Sequence, residues 1–136
     1  MADTILRVDY FYTETPDRPG EGARALAALR EAGVSLLVFS GFPKGRRAQL
    51  DFIPADPAAF KAVAKKARWK LKGPKKGFLI QGEDRVGALA DILGKLAAAK
   101  INVTATDAVC AGAERFGAIL WVKPRDVNRA AKALGV

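Results

Sequence analysis

The feature that most constrains this sequence is a four-residue segment that occurs twice. Asp17-Arg18-Pro19-Gly20 is followed, 67 positions later, by Asp84-Arg85-Val86-Gly87. The same offset aligns residues 11–67 with residues 78–134 without a gap. It matches apolar positions along the way, among them Phe11 with Phe78, Leu26 with Leu93, Leu29 with Leu96, Val34 with Ile101 and Ala64 with Ala131. A gapless register over two turns and two apolar helical stripes indicates an internal duplication.

Copy one is predicted to form six secondary-structure elements. Alternating and apolar runs predict strands over 5–13, 34–39 and 47–53, helices that begin at 21 and 57, and a short last strand at 69–71. Gly33 is expected to end the first helix, and Asp56-Pro57 to begin the second with a side-chain cap followed by proline. Because the run 34–39 is almost wholly apolar, we expect that strand to be covered on both faces.

Copy two repeats this order and lacks one element. Its residues predict strands over 77–82, 101–109 and 115–122, a helix with an apolar stripe from Leu89 to Leu96, and a last helix over 124–134. Lys123 stands at the position of Asp56 and cannot cap a helix, and the sequence ends where a fourth strand is due. We therefore expect an α+β chain with two ferredoxin-like βαββαβ repeats, the second lacking its last strand, in antiparallel sheets with helices on one face. Repeat one is predicted over 1–72 and repeat two over 73–136.

Each repeat alone is too small to bury much apolar area. Joining the two sheets edge to edge or face to face would bury more, and would cover the edge left open by the missing strand. We therefore expect the two repeats to pair within the chain and the chain to form a homodimer.

The composition argues against an enzyme. The 136 residues include no histidine, which removes the commonest general base and the commonest transition-metal ligand. Cys110 stands at the end of an apolar strand without a histidine to activate it, so we expect it to be packed. The acidic residues form no close pair at metal-binding spacing. No catalytic residue, metal or cofactor is predicted.

The sequence also carries signals about location. No apolar run approaches the length of a membrane span, and the N-terminus lacks the basic and then apolar layout of a signal peptide. A single cysteine allows no internal disulfide and suits a reducing compartment. We expect a cytoplasmic protein that does not contact the membrane.

Positive charge is concentrated between the two repeats. The net charge is +9, and the segment 61–76 holds no acidic residue. Its cations are Lys61, Lys65, Lys66, Arg68, Lys70, Lys72, Lys75 and Lys76. This segment is either a solvated helix face followed by a basic strand that resists edge-to-edge pairing, or a surface that binds phosphate groups.

The order of strand, Asp-Arg-x-Gly loop, helix and second strand resembles the ACT domain. The segment 78–89, FLIQGEDRVGAL, is the closest match, and the second strands open with Gly33-Val34-Ser35-Leu36 and Lys100-Ile101-Asn102-Val103. The resemblance covers both copies, so the chain is similar to a free-standing tandem ACT protein. It implies a small-molecule sensor, in most cases of amino acids, whose domains pair and which regulates an attached or partner enzyme.

The resemblance also implies where an effector binds, namely at the pair interface near the first loop and the start of the second strand. Carried over by position, the implied ligand-binding residues are Asp17, Arg18, Pro19, Gly20 and Ser35 in copy one and Asp84, Arg85, Val86, Gly87 and Asn102 in copy two. Val86 replaces the proline usual in the family, which should loosen that loop slightly. Ser35 is shorter than the asparagine often found there, so copy two is expected to be the better site.

Independently of the resemblance, the chemistry of these loops suits an amino acid as the ligand. Glycine allows close approach of the backbone, and the N–H groups at the start of a helix suit a carboxylate. An acidic side chain suits an ammonium group, and the amide of Asn102 can donate and accept hydrogen bonds. The alternative is that Asp17 and Asp84 cap the helices, the glycines only make turns and the arginines are solvated.

A second class of protein shares the βαββαβ plan. The RNA-recognition motif reads bases with aromatic side chains on its first and third strands. The corresponding strands here carry Tyr10, Phe11, Tyr12, Phe52, Phe78, Phe116 and Trp121. Together with the basic segment 61–76, these residues make single-stranded RNA or another nucleic acid the alternative partner. The repeated loops argue against it, because an RNA reader does not need Asp-Arg-x-Gly twice.

Overall fold

A computed structural model describes residues 3–136 and shows an α+β fold, with six strands and four helices in this range. The elements are β1 Thr4–Pro16, α1 Glu21–Glu31, β2 Leu36–Lys44, β3 Arg47–Pro54, α2 Pro57–Lys66, β4 Lys72–Glu83, α3 Ala88–Ala98, β5 Val103–Gly112, β6 Arg115–Val122 and α4 Val127–Leu134. A 3-10 turn at Pro124–Asp126 precedes α4. None of the helices in this range is long and apolar enough to cross a membrane.

The chain divides into two compact units. The first unit is Asp9–Lys75, and the second unit combines Met1–Val8 with Lys76–Val136. Repeat one is predicted over 1–72, whereas the described residues 3–8 group with the second unit. The second unit is therefore discontinuous in sequence.

The first unit is a ferredoxin-like βαββαβ unit with strand order β2-β3-β1-β4. Phe11 of β1 is paired in register with Phe52 of the antiparallel β3. Both pack with Leu29 of α1 and Phe60 of α2, so the two helices cover one face of the sheet, as expected. Asp56 caps α2 as predicted, because its Oδ1 accepts hydrogen bonds from the N–H groups of residues 58 and 59.

The second unit has the same plan, with strand order β5-β6-β4-β1. Residues 4–8 of β1 stand next to β4, in the place of the fourth strand that copy two lacks. Ile5 packs against the core of this unit. The most deeply buried members of that core are Phe78, Ile80, Ile92, Leu96, Leu120 and Ala130. The N-terminus thus completes the second copy.

Three local predictions are wrong. The strand predicted at 34–39 is not covered on both faces, because β2 is an edge strand on which the side chain of Leu37 is 47% exposed. Residues 69–71, predicted to be a strand, lie outside one, and the strand predicted at 77–82 begins earlier, since β4 runs continuously from Lys72 to Glu83. Cys110 is exposed rather than packed, because β5 is also an edge strand.

The duplication extends to backbone conformation. Four pairs of positions 67 residues apart have positive φ in both copies. The pairs are Gly20 and Gly87 (93° and 74°), Gly33 and Lys100 (71° and 59°), Gly45 and Gly112 (61° and 83°), and Arg68 and Gly135 (60° and 80°). Residues other than glycine rarely adopt positive φ. Lys100 and Arg68 therefore have strained backbones, which preserve the conformation shared by the two copies.

Candidate functional site

Both Asp-Arg-x-Gly loops begin a helix with a left-handed glycine. Gly20 and Gly87 are the N-cap residues of α1 and α3, with φ of 93° and 74°, and neither helix start receives a hydrogen bond from a capping side chain. The interpretation that Asp17 and Asp84 cap these helices is therefore wrong. In α3 the N–H groups of Ala88 and Ala90 donate to the carbonyls of Arg85 and Gly87 over 3.2 and 3.0 Å. The N–H of Leu89 in that first turn has no such partner among residues 3–136, and a free N–H at a helix start suits an anion.

In the first loop, Arg18 is bound to an acid of the following helix. Its Nε lies 2.7 Å from Glu21 Oε1, and Arg24 Nη2 lies 3.2 Å from the same oxygen. The hydrogen bond from Arg18 is the main reason that the pKa of Glu21 lies below its ordinary value. The three charges are spaced three residues apart, a signal that the sequence does contain, although only Glu21 and Arg24 lie in α1.

In the second loop, Arg85 is bound to Asp3, which immediately precedes β1 of the same unit. Its Nη1 and Nη2 donate to Oδ1 and Oδ2 of Asp3 over 3.1 and 3.0 Å. This hydrogen bonding lowers the pKa of Asp3 and raises that of Arg85. Gly82 leaves room for the Asp3 carboxylate, because a Cβ at that position would collide with it. Asp3 is a site residue that no sequence pattern identifies, since no local pattern connects residues 82 positions apart.

Asp84 lies at the rim of an acidic cleft in the second unit. The cleft has a volume of about 570 Å³ and is lined by Glu83, Asp84, Ala113, Glu114 and Arg115. The Asp84 N–H donates to the Glu114 carbonyl over 2.8 Å, which ties the loop to the turn between β5 and β6. A hydrogen bond with Asp84 also raises the pKa of Cys110.

Ser35 and Asn102 lie at the other end of the helix from the loop of their own unit. Both are exposed, and each immediately precedes its strand, β2 or β5. The helix between loop and strand has 11 residues in each unit, a length of roughly 16 Å at 1.5 Å per residue. Within one unit, therefore, the structure does not bring Gly87 and Asn102 together around a small ligand, nor Gly20 and Ser35.

Most of the aromatic residues on the sheet strands are in the cores of the two units. Phe11 and Phe52 belong to the core of the first unit, and Phe78 and Phe116 to that of the second. Trp121 is also buried, with 7% of its surface exposed. These five side chains do not present faces for stacking bases, which is what an RNA reader of this plan requires.

Tyr10 and Tyr12 are half-buried and lie near a buried acid of the first unit. Asp51 is only 6% exposed, is paired in register with Tyr12, and accepts a hydrogen bond from Gln49 Nε2 over 2.8 Å. Burial raises the pKa of Asp51, and burial together with Asp51 raises that of Tyr10. The sequence does not identify Asp51 as buried, because alternation along a strand does not show which residues of other strands lie next to it.

The cations of the basic segment, eight side chains between Lys61 and Lys76, are all exposed. The ammonium groups of Lys72 and Lys75 lie 5.9 and 5.1 Å from the centre of the Tyr12 ring, a distance typical of cation–π contacts. Within residues 3–136, no group of three acidic or cysteine side chains is arranged to hold a metal ion.

Neither a protein-family model nor a curated protein matches the sequence. Solved structures do match. A protein of Bacteroides thetaiotaomicron has a TM-score of 0.83 and 14% identity, with 96% of this chain and 88% of that chain covered. The ligand-free regulatory subunit of aspartate kinase from Thermus thermophilus has a TM-score of 0.64 and 17% identity, with 98% and 94% covered. A putative C-terminal regulatory domain of aspartate kinase from Porphyromonas gingivalis has a TM-score of 0.57 and 11% identity, with 98% and 95% covered.

At these identities the likeness establishes the fold. Almost the whole chain has the fold of a regulatory subunit and of a putative regulatory domain of aspartate kinase. This agrees with the ACT-type fold expected from the sequence. A shared fold does not fix the function, which depends on the residues of the loops and clefts.

Proposed function

We propose that this protein is a regulatory protein that binds an amino acid and transmits its presence to a partner, without catalysing a reaction itself. The observation that carries the proposal is the Asp-Arg-x-Gly loop found in both copies with the same left-handed glycine at an uncapped helix start. A loop of this kind exposes N–H groups to a carboxylate. The fold shared with regulatory subunits is the second support.

The second loop has the chemistry to hold both ends of an amino acid. A Cβ placed on Gly87 would meet the Ala90 side chain at 3.9 Å, an ordinary contact. The backbone there is accessible, and the N–H of Leu89, which no backbone carbonyl of the described residues uses, is suited to the carboxylate. Asp84 borders a cleft that also contains Glu83 and Glu114, a negative environment that suits the ammonium group.

A complete site needs a second molecule of the chain. Because about 16 Å of helix separates Gly87 from Asn102 in one unit, one small ligand cannot touch both. We propose that Asn102 of one chain contacts the ligand bound by the loop 84–87 of a second chain. In the same way, Ser35 of one chain contacts the ligand bound by the loop 17–20 of the other. The protein is then a homodimer whose assembly depends on the effector, and a regulated enzyme is the expected partner.

An enzymatic role for Cys110 is not favoured. The thiolate is the reactive form of cysteine, and catalytic cysteines have a lowered pKa. Here the hydrogen bond with Asp84 raises the pKa of the thiol. Nucleic acid is not favoured either, because five of the seven sheet aromatics named above are buried.

The test is a thermal-shift screen with the twenty amino acids, nucleotides and a short single-stranded RNA. A ligand that binds only the folded state raises Tm. We expect one or a few amino acids to raise Tm, followed in calorimetry by saturable binding and in sedimentation by a shift toward dimer. A rise with RNA alone, or with none of the amino acids, would contradict the proposal.

A further inference from the structure

We infer that the first unit contains a separate ligand site for a small apolar carboxylate, in a cleft between α1, the end of β1 and the segment that links α2 to β4. This goes beyond the proposed effector site, since it lies within one unit and needs no second chain. It adjoins the loop 17–20 only through its lining residues Pro16 and Glu21. The cleft has a volume of about 410 Å³, within the range of small-molecule pockets. Its lining includes Thr13, Ala25, Leu50, Arg68, Trp69 and Lys70.

Comparison of the two copies shows why there is space here. Three lining positions hold small or polar residues where the second copy, 67 positions later, holds large aliphatic ones. The pairs are Thr13 and Ile80, Ala25 and Ile92, and Ala67 and Leu134. The three aliphatic residues are buried in the core of the second unit, at 0%, 2% and 6% exposure. The space that these three aliphatic side chains fill in copy two is open in copy one.

The floor of the cleft is apolar and firmly held. Trp69 stacks on Phe52 with ring centres 5.6 Å apart and an interplanar angle of 15°. Leu50, which stands where copy two has Gly117, is buried beside it in the same core. Thr13 Oγ1 donates to the Lys70 carbonyl over 3.0 Å and fastens the 67–70 segment to β1. A ligand with an apolar body would cover this floor.

The charges around the cleft select an anion. Glu21 is bound to Arg18 and Arg24, and Glu14 lies 3.5 Å from Lys44 and 3.7 Å from Arg47. In the described part of the chain, the side chains of Arg68 and Lys70 have no such partner. Both acids are therefore already paired, whereas two cations at the cleft are available to a carboxylate.

Arg68 also holds a conformation that favours glycine. Its φ is 60°, and the matching position in copy two is Gly135 with φ 80°. Backbone strain of this kind tends to persist where a side chain is needed. A ligand carboxylate would require the guanidinium group of Arg68 at this position, because that group can bind it through two parallel hydrogen bonds.

Calorimetry with 4-methylpentanoate and 3-phenylpropanoate as probes tests the inference on the full chain. We expect both acids to bind, and their neutral amides to bind at least tenfold more weakly. Arg68→Gly should lower the affinity for the acids at least tenfold while raising Tm, because glycine relieves the strain. Ala25→Ile, which restores the residue of copy two, should close the cleft and abolish binding. Ala23→Ile, on the exposed side of the same helix, is the matched control and should bind like the parent.

The inference is overturned if neither acid binds to the parent, or if Arg68→Gly is more stable and binds as tightly as before. Asn102→Ala separates the two sites. It should leave binding of these acids unchanged even if it removes binding of an amino acid at the proposed effector site. If Asn102→Ala lost acid binding while Arg68→Gly kept it, the acids would bind at the effector site, and the inference would be overturned.

Discussion

Asp3 and Arg85 form a two-armed ion pair, with both carboxylate oxygens within 3.1 Å of the guanidinium nitrogens. Arg85 belongs to the loop that begins α3, and Asp3 immediately precedes β1, whose residues 4–8 complete the second unit. The pair therefore fastens the first residues of the chain to a loop of the last repeat. Substitution of Asp3 should reveal how much this attachment matters.

Asp3→Asn should lower the stability of the second unit near neutral pH. The pKa of Asp3 in the folded chain lies below its ordinary value of 3.8, mainly through the hydrogen bond from Arg85. A lowered pKa means that the stabilisation is complete above 3.8 and is lost as pH falls through the lower folded value. Tm measured from pH 6 to pH 2.5 should show the parent and the variant converging in acid. Asp91→Asn, at 4.0 Å from Arg85 and 76% exposed, should follow the parent.

Asp51→Asn should have the opposite effect. Burial raises the pKa of Asp51 above 3.8, so protonation favours the folded state. The free energy of unfolding therefore falls as pH rises through the window between 3.8 and the raised folded value. The variant should be more stable than the parent at neutral pH and should lose this advantage below that window, as judged by urea titration. Equal stability at pH 7 would show that the buried carboxylate is fully compensated by Gln49 and Lys44.

The two helix ends at Gly33 and Lys100 should respond in opposite directions to substitution. Both have positive φ, which costs an ordinary residue about 1 kcal/mol relative to glycine. Lys100→Gly should stabilise the chain by about that amount, and Gly33→Ala should destabilise it similarly, since a Cβ at Gly33 meets no atom within 4 Å and only the backbone is strained. Lys100→Ala is the control and should change little. The measurement is the urea midpoint at constant m-value.

Trp121→Ala should destabilise the chain by about 3–5 kcal/mol, as expected for truncation of a buried aromatic residue. Trp121 is 7% exposed, whereas Tyr10 is half-buried, so Tyr10→Ala should cost less. Neither variant should change the affinity for a short single-stranded RNA. Nearly unchanged stability together with weaker RNA binding would favour the stacking role instead.

Asn102→Ala should weaken binding of the amino-acid effector by roughly ten- to hundredfold without unfolding the chain, since one hydrogen bond to a charged group is lost and the side chain is exposed. Gly87→Val should abolish binding, because a branched side chain there blocks the backbone and strains a φ of 74°. Ser35→Ala and Gly20→Val are the matched changes in copy one and should affect affinity less. If calorimetry finds that Asn102→Ala binds as tightly as the parent, the proposed site is wrong.

Local signals in the sequence were sufficient for most of the secondary structure. The offset of 67 predicted two ferredoxin-like units, Asp56 predicted the start of α2, and Gly33 predicted the end of α1. These signals depend on neighbours within a few residues, through caps, turns and apolar spacing. Burial was predicted wrongly where it depends on neighbouring strands, as for the exposed Leu37 on β2 and the exposed Cys110 on β5.

The sequence by itself determined that there are two copies of one unit and that a glycine loop opens a helix in each. Only the tertiary structure decided that residues 4–8 complete the second unit, that Arg85 is bound by Asp3, and that Ser35 and Asn102 lie a helix length away from the loops. The reason is physical. Hydrophobic periodicity and backbone preferences act over short distances along the chain. Strand pairing and ion pairing between residues 82 positions apart depend on which edges the folded chain brings together.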